Sequence, residues 1–346
     1  MMKRRLLGVV SAAVILVGSA LGARHLLALS PAGPSGYHLI KSIPMGGDTG
    51  WDYLLVDSRA RRVYVSRGTH VAVLDADTFA GAGDIPDTQG VHGIAIASDL
   101  GRGFTSNGRA NTATIFDLKT LQMLGTVNTG KNPDAIVYDA VTKLVFTLNG
   151  ASKDATAFNA ADGTVLGTLP LGGKPEFAAA DGKGNIYVNI EDTSELVQID
   201  AMQLKELHRW PLQPGEGPTG LSMDLANRRL FSTCDGKIMP VMDADSGKIV
   251  TTIQIGDGPD ATAFDPETHL VFASNGEGVL TVAHEDSPDS YSVVENVPTK
   301  KSARTMALDL KTHNIFLPAA DFDPPAPGER RGKMKPGSLV LLVMGK

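Results

Sequence analysis

Short apolar runs of four to seven residues, most of them ending in Gly, Asp or Asn, recur along nearly the whole chain. Three of the runs are close copies of one another: KLVFTLNG at 143–150, HLVFASNG at 269–276 and GRGFTSNG at 101–108. Apolar runs of this length between turn-forming residues predict β-strands. Helical spacing of apolar positions is almost absent, so the pattern predicts an all-β protein.

The strand pattern repeats with a nearly constant period. One position opens a short strand in every repeat, and its successive copies lie 40 to 44 residues apart. We call these seven residues the inner ring: Asp52, His92, Asp134, Glu176, Thr219, Asp260 and Arg304. Six of the seven repeats carry an aspartate five residues later, which indicates a hairpin turn. These aspartates are Asp57, Asp139, Asp181, Asp224, Asp265 and Asp309.

Four short strands in each repeat of about 42 residues predict a seven-bladed β-propeller built from four-stranded antiparallel blades. The last repeat ends in GSLVLLVMGK, which supplies only a third strand, whereas YHLIKSIPMGG at 37–47 precedes the first repeat. We therefore predict that an N-terminal strand joins the last blade and closes the ring, which hides its edges. Residues 37–346 are expected to form this single domain.

The N-terminus has a different pattern. Lys3, Arg4 and Arg5 precede an apolar run at 6–23 that contains small residues near its end, as in a secretory signal. Residues 1–23 are predicted to be a signal peptide or an uncleaved anchor, and residues 24–36 a linker. We expect a periplasmic or secreted protein that meets a membrane only through residues 6–23, if these are retained. The single cysteine, Cys234, cannot form an internal disulfide.

Net charge restricts the classes of partner. The chain has a formal charge of −6 and a pI near 5.8. Proteins that bind nucleic acid usually carry a basic surface that neutralises phosphates, so nucleic acid is not an expected partner. We expect a monomer that binds a small polar ligand or a protein.

Four strand ends carry a recognisable motif: RVYVSRG at 62–68, LVFTLNG at 144–150, NIYVNIE at 185–191 and LVFASNG at 270–276. They resemble the Tyr-Val-Thr-Asn type of propeller repeat, and the chain from about residue 37 to 346 resembles the YncE-like seven-bladed propeller family. The resemblance implies the propeller fold. Relatives include binding proteins, surface-layer proteins and lactonase-like enzymes, so the resemblance implies no single function.

A second set of positions follows the inner ring by fifteen residues. We call it the outer ring: Arg67, Asn107, Asn149, Glu191, Cys234, Asn275 and Ala319. The loops that carry both rings open on one face of a propeller, so we expect both rings at the mouth of the central channel. The Asn-Gly pairs have two readings, which are turn geometry and oxygen ligands that face the mouth.

Two functions follow from the rings. The preferred one is a binding or scaffold propeller that recognises its ligand or partner at the channel mouth and needs no catalytic geometry. The alternative is a metal-dependent lactonase or esterase. In that case Ca²⁺ or Mg²⁺ would be held by Asp134, Glu176, Asn149 and Asp260, with His92 as the candidate catalytic base. The sequence demands no other cofactor.

The last repeat contains an insertion, FDPPAPGERRGKMKP at 322–336. Its content of Pro, Gly and charged residues predicts a mobile segment without strands. It lies on the face of the two rings, where it could cover the channel, dock a partner or serve only as a surface loop.

Overall fold

Strands account for almost all regular structure in the computed structural model, which describes residues 34–47, 49–326, 328 and 332–346. One 3₁₀ helix, Glu191–Thr193, accompanies them in this part of the chain. The strands are β1 (His38–Pro44), β2 (Leu54–Asp57), β3 (Arg62–Ser66), β4 (Val71–Asp75), β5 (Gly81–Ile85), β6 (Val91–Ala97), β7 (Arg102–Asn107), β8 (Thr112–Asp117), β9 (Met123–Asn128), β10 (Pro133–Asp139), β11 (Leu144–Asn149), β12 (Asp154–Asn159), β13 (Val165–Pro170), β14 (Pro175–Ala180), β15 (Asn185–Ile190), β16 (Glu195–Asp200), β17 (Lys205–Pro211), β18 (Leu221–Asp224), β19 (Arg229–Ser232), β20 (Ile238–Asp243), β21 (Ile249–Gln254), β22 (Pro259–Asp265), β23 (Leu270–Asn275), β24 (Val279–Ser287), β25 (Ser290–Pro298), β26 (Ala307–Leu308), β27 (Ile315–Ala319) and β28 (Val340–Gly345).

These strands form seven antiparallel sheets of four, which are the blades of a propeller. Blades 1 to 6 each use four consecutive strands, from β2–β5 to β22–β25. The second strand of a blade is packed between neighbouring blades, so β11 is buried along its whole length, whereas the outermost strand β13 is mostly exposed. The predicted fold is therefore confirmed.

Blade 7 closes the ring. Its strand order is β1-β28-β27-β26, and β1 pairs antiparallel with β28 from His38 opposite Gly345 to Pro44 opposite Val340. The buried Tyr37 ring meets Phe272 of blade 6 edge-on at 5.2 Å. Its hydroxyl donates a 2.9 Å hydrogen bond to the His313 carbonyl. The closure predicted from the sequence is confirmed.

In six of the seven blades an aspartate stabilises the first turn and contacts the neighbouring blade. These aspartate side chains are buried and accept hydrogen bonds from the turn that follows, as Asp57 does from the amides of Arg59 and Ala60. In several blades an Arg or His side chain four positions later reaches the aspartate of the preceding blade. Arg228 contacts Asp181 in this way at 3.3 Å. Equivalent contacts join Arg61 to Asp309 and His313 to Asp265.

The described base of the insertion of blade 7 forms a hairpin. Phe322 and Met334 form a β-bridge, and the Asp323 amide donates to the Lys333 carbonyl at 2.9 Å. As predicted, no strand is assigned to the described residues of the insertion, but an isolated bridge and backbone hydrogen bonds tie the two ends of its base together. Two antiparallel stretches satisfy each other's backbone groups there, which composition alone does not reveal.

The predicted signal at 1–23 and all but the last residues of the predicted linker lie outside the described residues. Ser35 is described, and its amide and hydroxyl both donate to the Glu295 carboxylate, at 2.9 and 2.6 Å. Within the part of the chain that the structure describes, no helix has the length and apolar character needed to cross a membrane.

Candidate functional site

Five inner-ring side chains contact one another at one end of the channel. Asp52 Oδ2 lies 2.5 Å from His92 Nδ1, and His92 Nδ1 lies 3.7 Å from Asp134 Oδ1. On the other side of Asp52, Arg304 Nη2 approaches its Oδ1 at 3.4 Å, and Arg304 Nη1 lies 2.6 Å from Asp260 Oδ2. Blades 6, 7, 1, 2 and 3 are thus joined by one chain of polar contacts, which we call the mouth cluster.

Glu176 of blade 4 extends the mouth cluster, whereas blade 5 does not. Lys174 Nζ lies 2.6 Å from Glu176 Oε1 and also pairs with the carboxylate of Glu191. Thr219 of blade 5 turns aside, because its hydroxyl donates to the Pro259 carbonyl at 3.1 Å. The structure therefore joins five of the seven inner-ring side chains by direct contacts, and Glu176 interacts with them through the charge of Asp134.

Hydroxyl side chains of the second strand hold the inner-ring backbone in place. Ser106 accepts a 2.8 Å hydrogen bond from the Gly93 amide of its own blade and donates to the Asp134 carbonyl of blade 3. Ser274 makes the matching bond to the Arg304 carbonyl of blade 7. Each bond ties one first strand to the next, so the spacing of the mouth cluster is set by backbone contacts beneath it.

Two aromatic side chains form a floor below the mouth cluster. Tyr53 of blade 1 and Phe177 of blade 4 each follow an inner-ring residue, and their rings are 4.5 Å apart. Tyr53 packs on the core between blades 3 and 4, and Phe177 packs on cores at blades 5 to 7. The other five blades carry Gly, Ala or Thr at this position, which leaves room for the two rings.

The acids of the mouth are only partly neutralised. Burial, followed by the charge of Asp52, raises the pKa of Asp134 to about 6. Burial also raises the pKa of Asp260 to about 7, although Arg304 opposes the shift. Burial and the charge of Asp134 raise the pKa of Glu176 to about 8 against the pull of Lys174. The inner-ring side chains line a half-buried cup, and ionisation of its carboxylates is therefore unfavourable.

The pKa values of His92 and Tyr53 are raised as well, which favours the positively charged form of the imidazole and the neutral form of the phenol. Burial disfavours the charged form of His92, but the Asp52 hydrogen bond and the charges of Asp134 and Asp52 outweigh it and raise the His92 pKa. The pKa of the Tyr53 phenol is raised well above its usual value by burial and by the surrounding carboxylates, of which Asp134 and Glu176 contribute most. The field at the mouth thus favours positive charge.

The three outer-ring asparagines hydrogen-bond within their own blades. The amide group of Asn149 donates to Asp154 Oδ1 at 2.7 Å and to Thr156 Oγ1 at 3.0 Å, both on β12. Asn107 makes the equivalent bonds to Thr112 and Thr114, and Asn275 donates to the Val279 carbonyl and to Thr281. All three side chains are buried. The structural reading of the Asn-Gly pairs accounts for these contacts, and the structure does not bring Asn149 to the predicted metal ligands.

Three other outer-ring residues, Arg67, Glu191 and Cys234, have different surroundings. Arg67 donates to the Gly46 carbonyl at 2.8 Å and so holds the segment after β1. Glu191 joins the mouth through Lys174. Cys234 is buried, and burial raises the pKa of its thiol to about 12. That thiol is therefore not a reactive nucleophile at neutral pH.

The hairpin of the insertion meets the rim of the mouth. The Phe322 ring lies 6.1 Å from the ring of Trp51, which directly precedes Asp52. Lys300 Nζ contacts Asp321 Oδ1 at 3.0 Å at the base of the hairpin. These contacts place the described part of the insertion beside the mouth cluster.

Sequence reasoning missed Tyr53, Phe177 and Lys174. Tyr53 and Phe177 each follow an inner-ring residue by one position, and the contrast with five small residues at that position was the available signal. Lys174 precedes Glu176 by two positions in a loop, where no pattern distinguishes it from a solvent-exposed lysine.

Comparisons with known proteins identify the fold. No protein-family model and no curated protein matches the chain. Among solved structures, the RRP9 WD40 repeats match with a TM-score of 0.75 at 10% identity, over 92% of this chain and 100% of that chain. U3-55K matches with a TM-score of 0.73 at 11% identity, over 87% and 97% of the two chains.

Hydrazine synthase of Kuenenia stuttgartiensis matches with a TM-score of 0.68 at 12% identity, over 80% of this chain and 92% of that chain. At identities this low the likeness concerns the fold alone. The chain is a seven-bladed propeller with WD40-like structural neighbours, and its function has to be argued from its own residues.

Proposed function

We propose that this protein is an exported propeller of the YncE-like kind that binds a small, positively charged polar ligand at its channel mouth. The observation that carries the proposal is that acidic side chains outnumber basic ones in a half-buried cup above the aromatic floor of Tyr53 and Phe177. The acids are Asp52, Asp134, Glu176, Glu191 and Asp260, and the bases are His92, Lys174 and Arg304. Burial, with repulsion between the carboxylates, raises their pKa values, and a cation that enters the cup stabilises their ionised forms.

Export is supported by the basic start and apolar run of residues 1–23. A propeller closed by β1 and β28 needs no disulfide to hold its ring, which suits a chain with a single, buried cysteine. The Tyr-Val-Thr-Asn-type strand ends support a place among YncE-like propellers.

A protein partner at the rim is the second candidate. The hairpin of the insertion places Phe322 against Trp51, and aromatic side chains at a rim are typical anchors of protein interfaces. One structural neighbour, at 11% identity, comes from a mitotic checkpoint complex. The contacts within the cup favour the small ligand over this candidate.

A thermal-shift screen tests the proposal. The purified protein is unfolded in the presence of divalent cations, a small amine such as putrescine, and anions such as citrate and phosphate. We expect cations to raise the unfolding midpoint, because a ligand that binds only the folded state stabilises it. Anions should have no such effect.

The double variant Asp134→Asn/Asp260→Asn removes two acids from the mouth, and Asp99→Asn/Asp286→Asn removes two exposed acids elsewhere. The cation response should be lost in the first variant and kept in the second. A screen in which no cation acts, or in which both variants respond alike, overturns the proposal.

A further inference from the structure

Three side chains of the mouth cluster present donor atoms to a common point. Asp52, His92 and Asp134 each offer one ligand atom, and these atoms all lie within 4.8 Å of one another. Within residues 34–47, 49–326, 328 and 332–346, no other group of three or more His, Cys, Asp or Glu side chains is arranged in this way. The donors come from blades 1, 2 and 3, so the intact ring is needed to assemble them.

We propose that Asp52, His92 and Asp134 bind a divalent first-row transition-metal ion such as Zn²⁺. This inference rests on the proposed function and narrows its ligand from a cation to a metal of this class. One imidazole nitrogen and two carboxylate oxygens match the donor types of Zn²⁺ sites. Ca²⁺ and Mg²⁺ prefer oxygen donors alone, so the nitrogen of His92 separates the two classes.

The distances between the three donor atoms are close to those of a metal site, so binding requires only a small movement of the side chains. Ligands bound at 2.0–2.2 Å in a tetrahedral site are roughly 3.4 Å apart. His92 Nδ1 and Asp134 Oδ1 are 3.7 Å apart. His92 Nδ1 and Asp52 Oδ2 are 2.5 Å apart and share a hydrogen bond. A metal that takes the place of the shared proton requires these two atoms to separate by about 1 Å.

Neighbouring groups hold each donor in position. Arg304 Nη2 approaches the second oxygen of Asp52 at 3.4 Å, and Ser106 anchors the Asp134 carbonyl. The imidazole of His92 lies against Gly108, where an added Cβ would come within 2.7 Å of Nε2. Supports of this kind fix the orientation of metal ligands.

Calorimetric titration with Zn²⁺, together with elemental analysis of the dialysed protein, tests the inference. We expect one tightly held Zn²⁺ per chain and a binding affinity for Ca²⁺ and Mg²⁺ at least about 100-fold weaker. His92→Ala should weaken Zn²⁺ binding by roughly 100-fold or more. Asp134→Asn is nearly isosteric and should do the same, and it replaces His92→Ala if that variant fails to fold.

His284→Ala is the matched control. His284 Nδ1 lies 2.8 Å from Asp286 Oδ1 on the exposed surface, which gives a histidine–carboxylate pair without a third ligand. Zn²⁺ binding should be unchanged in this variant. Equal losses in His92→Ala and His284→Ala, or no loss in either, would overturn the metal site.

Failure of the metal site and failure of the proposed function give different results. If Zn²⁺ does not bind but a small amine does, and if Asp134→Asn/Asp260→Asn abolishes that binding, the metal site is wrong and the proposed function stands. If neither class of cation binds at the mouth, both are wrong. A Co²⁺-loaded protein whose visible absorption changes on His92→Ala supports direct coordination by that nitrogen.

Discussion

The hydroxyl of Ser106 in blade 2 donates a hydrogen bond to the backbone carbonyl of Asp134 in blade 3. The same oxygen accepts from the Gly93 amide, next to His92. One side chain therefore sets the separation of the His92 and Asp134 side chains. The ligand donors of the mouth depend on a residue that does not face the mouth itself.

Replacing Ser106 with Ala should loosen this separation. We expect Ser106→Ala to lower the free energy of unfolding by about 1 kcal/mol, the usual contribution of one hydrogen bond, and to weaken Zn²⁺ binding several-fold. Ser106→Thr should restore both. Ser274→Ala removes the equivalent bond between blades 6 and 7 and serves as the control. It should lower stability equally without a comparable loss of Zn²⁺ affinity, measured by urea unfolding and calorimetry.

Gly108 should be required for the His92 ring to keep its place. A Cβ at this position would lie 2.7 Å from both His92 Nε2 and Asn132 Oδ1, so Gly108→Ala forces the imidazole to move. We expect Zn²⁺ binding to fall at least tenfold, with a change in unfolding free energy below about 1 kcal/mol. Gly150 occupies the equivalent position in blade 3, where the nearest atom to an added Cβ is 3.7 Å away. If the Zn²⁺ affinity is unchanged in Gly108→Ala, or if Gly150→Ala reduces it equally, Gly108 is not specifically required.

Glu176 should destabilise the folded protein when it is ionised. Burial raises its pKa from 4.5 to about 8. The folded state therefore holds a proton that the unfolded state has released, and stability falls as pH rises from about 4.5 to 8. Glu176→Gln should abolish this fall and be more stable than the wild type at pH 7.5, by on the order of 1 kcal/mol.

The stabilities of the wild type and of Glu176→Gln should become equal near pH 4.5. Urea unfolding midpoints measured across this pH range supply the comparison. A Glu176→Gln variant that is less stable at every pH would show that the 2.6 Å ion pair with Lys174 outweighs the cost of burying the charge.

Asp309 should stabilise the protein in its ionised form. Burial opposes ionisation, but hydrogen bonds from Arg61, Thr312 and Ser58 outweigh it and lower the Asp309 pKa from 3.8 to about 2. An acid with a lowered pKa contributes stability above its unfolded pKa and loses it as pH falls toward the folded pKa. Asp309→Asn should therefore cost about 2 kcal/mol at pH 7, and the difference from the wild type should shrink between pH 4 and 2.

Asp77 is the control for that experiment, because it pairs with the same arginine, Arg61, at 2.7 Å but has an exposed side chain. Asp77→Asn should lower the free energy of unfolding much less than Asp309→Asn, because an exposed ion pair is screened by solvent. If the two substitutions lower the free energy of unfolding equally, the Arg61–Asp309 contact between blades 1 and 7 stabilises the protein no more than an exposed ion pair does.

Tyr37 should be essential for ring closure. It is buried at the junction of blades 6 and 7, against Phe272, and its hydroxyl reaches the His313 carbonyl. Tyr37→Ala should lower the unfolding free energy by about 3–5 kcal/mol, and Tyr37→Phe by about 1 kcal/mol. Urea unfolding measures the loss of stability. Hydrogen exchange that becomes faster in β28 than in β15 would show that the loss lies at the ring closure. Uniform exchange across blades would contradict this.

The blades could be predicted from sequence because each is a local pattern repeated seven times. The Asp at the first turn and the apolar strand that follows it satisfy backbone and packing needs within a few residues, so Asp57 and Asp309 are recognisable without knowledge of their neighbours. Closure could also be predicted, since one strand was missing at one end of the chain and one was unassigned at the other.

The direction of the asparagine side chains could not be predicted. A residue at a strand end can face either the loop opening or the adjacent strand, and the Asn107 and Asn149 amides find hydroxyl and carboxylate partners on the adjacent strand. The contact between Asp52 and His92 depends on how two blades twist against each other. The sequence identified both residues as members of the ring, but it contained no measure of their separation.

The floor formed by Tyr53 and Phe177 determines how anything bound at the mouth exchanges with solvent. A propeller with an open axis would allow entry from one face and exit from the other. Here the two rings, tilted by 33° and 4.5 Å apart, lie across that route. A ligand therefore enters and leaves by the same opening, beside Trp51 and the hairpin of the insertion. Substitutions at that opening should therefore change the association and dissociation rates together and leave the equilibrium constant nearly unaltered.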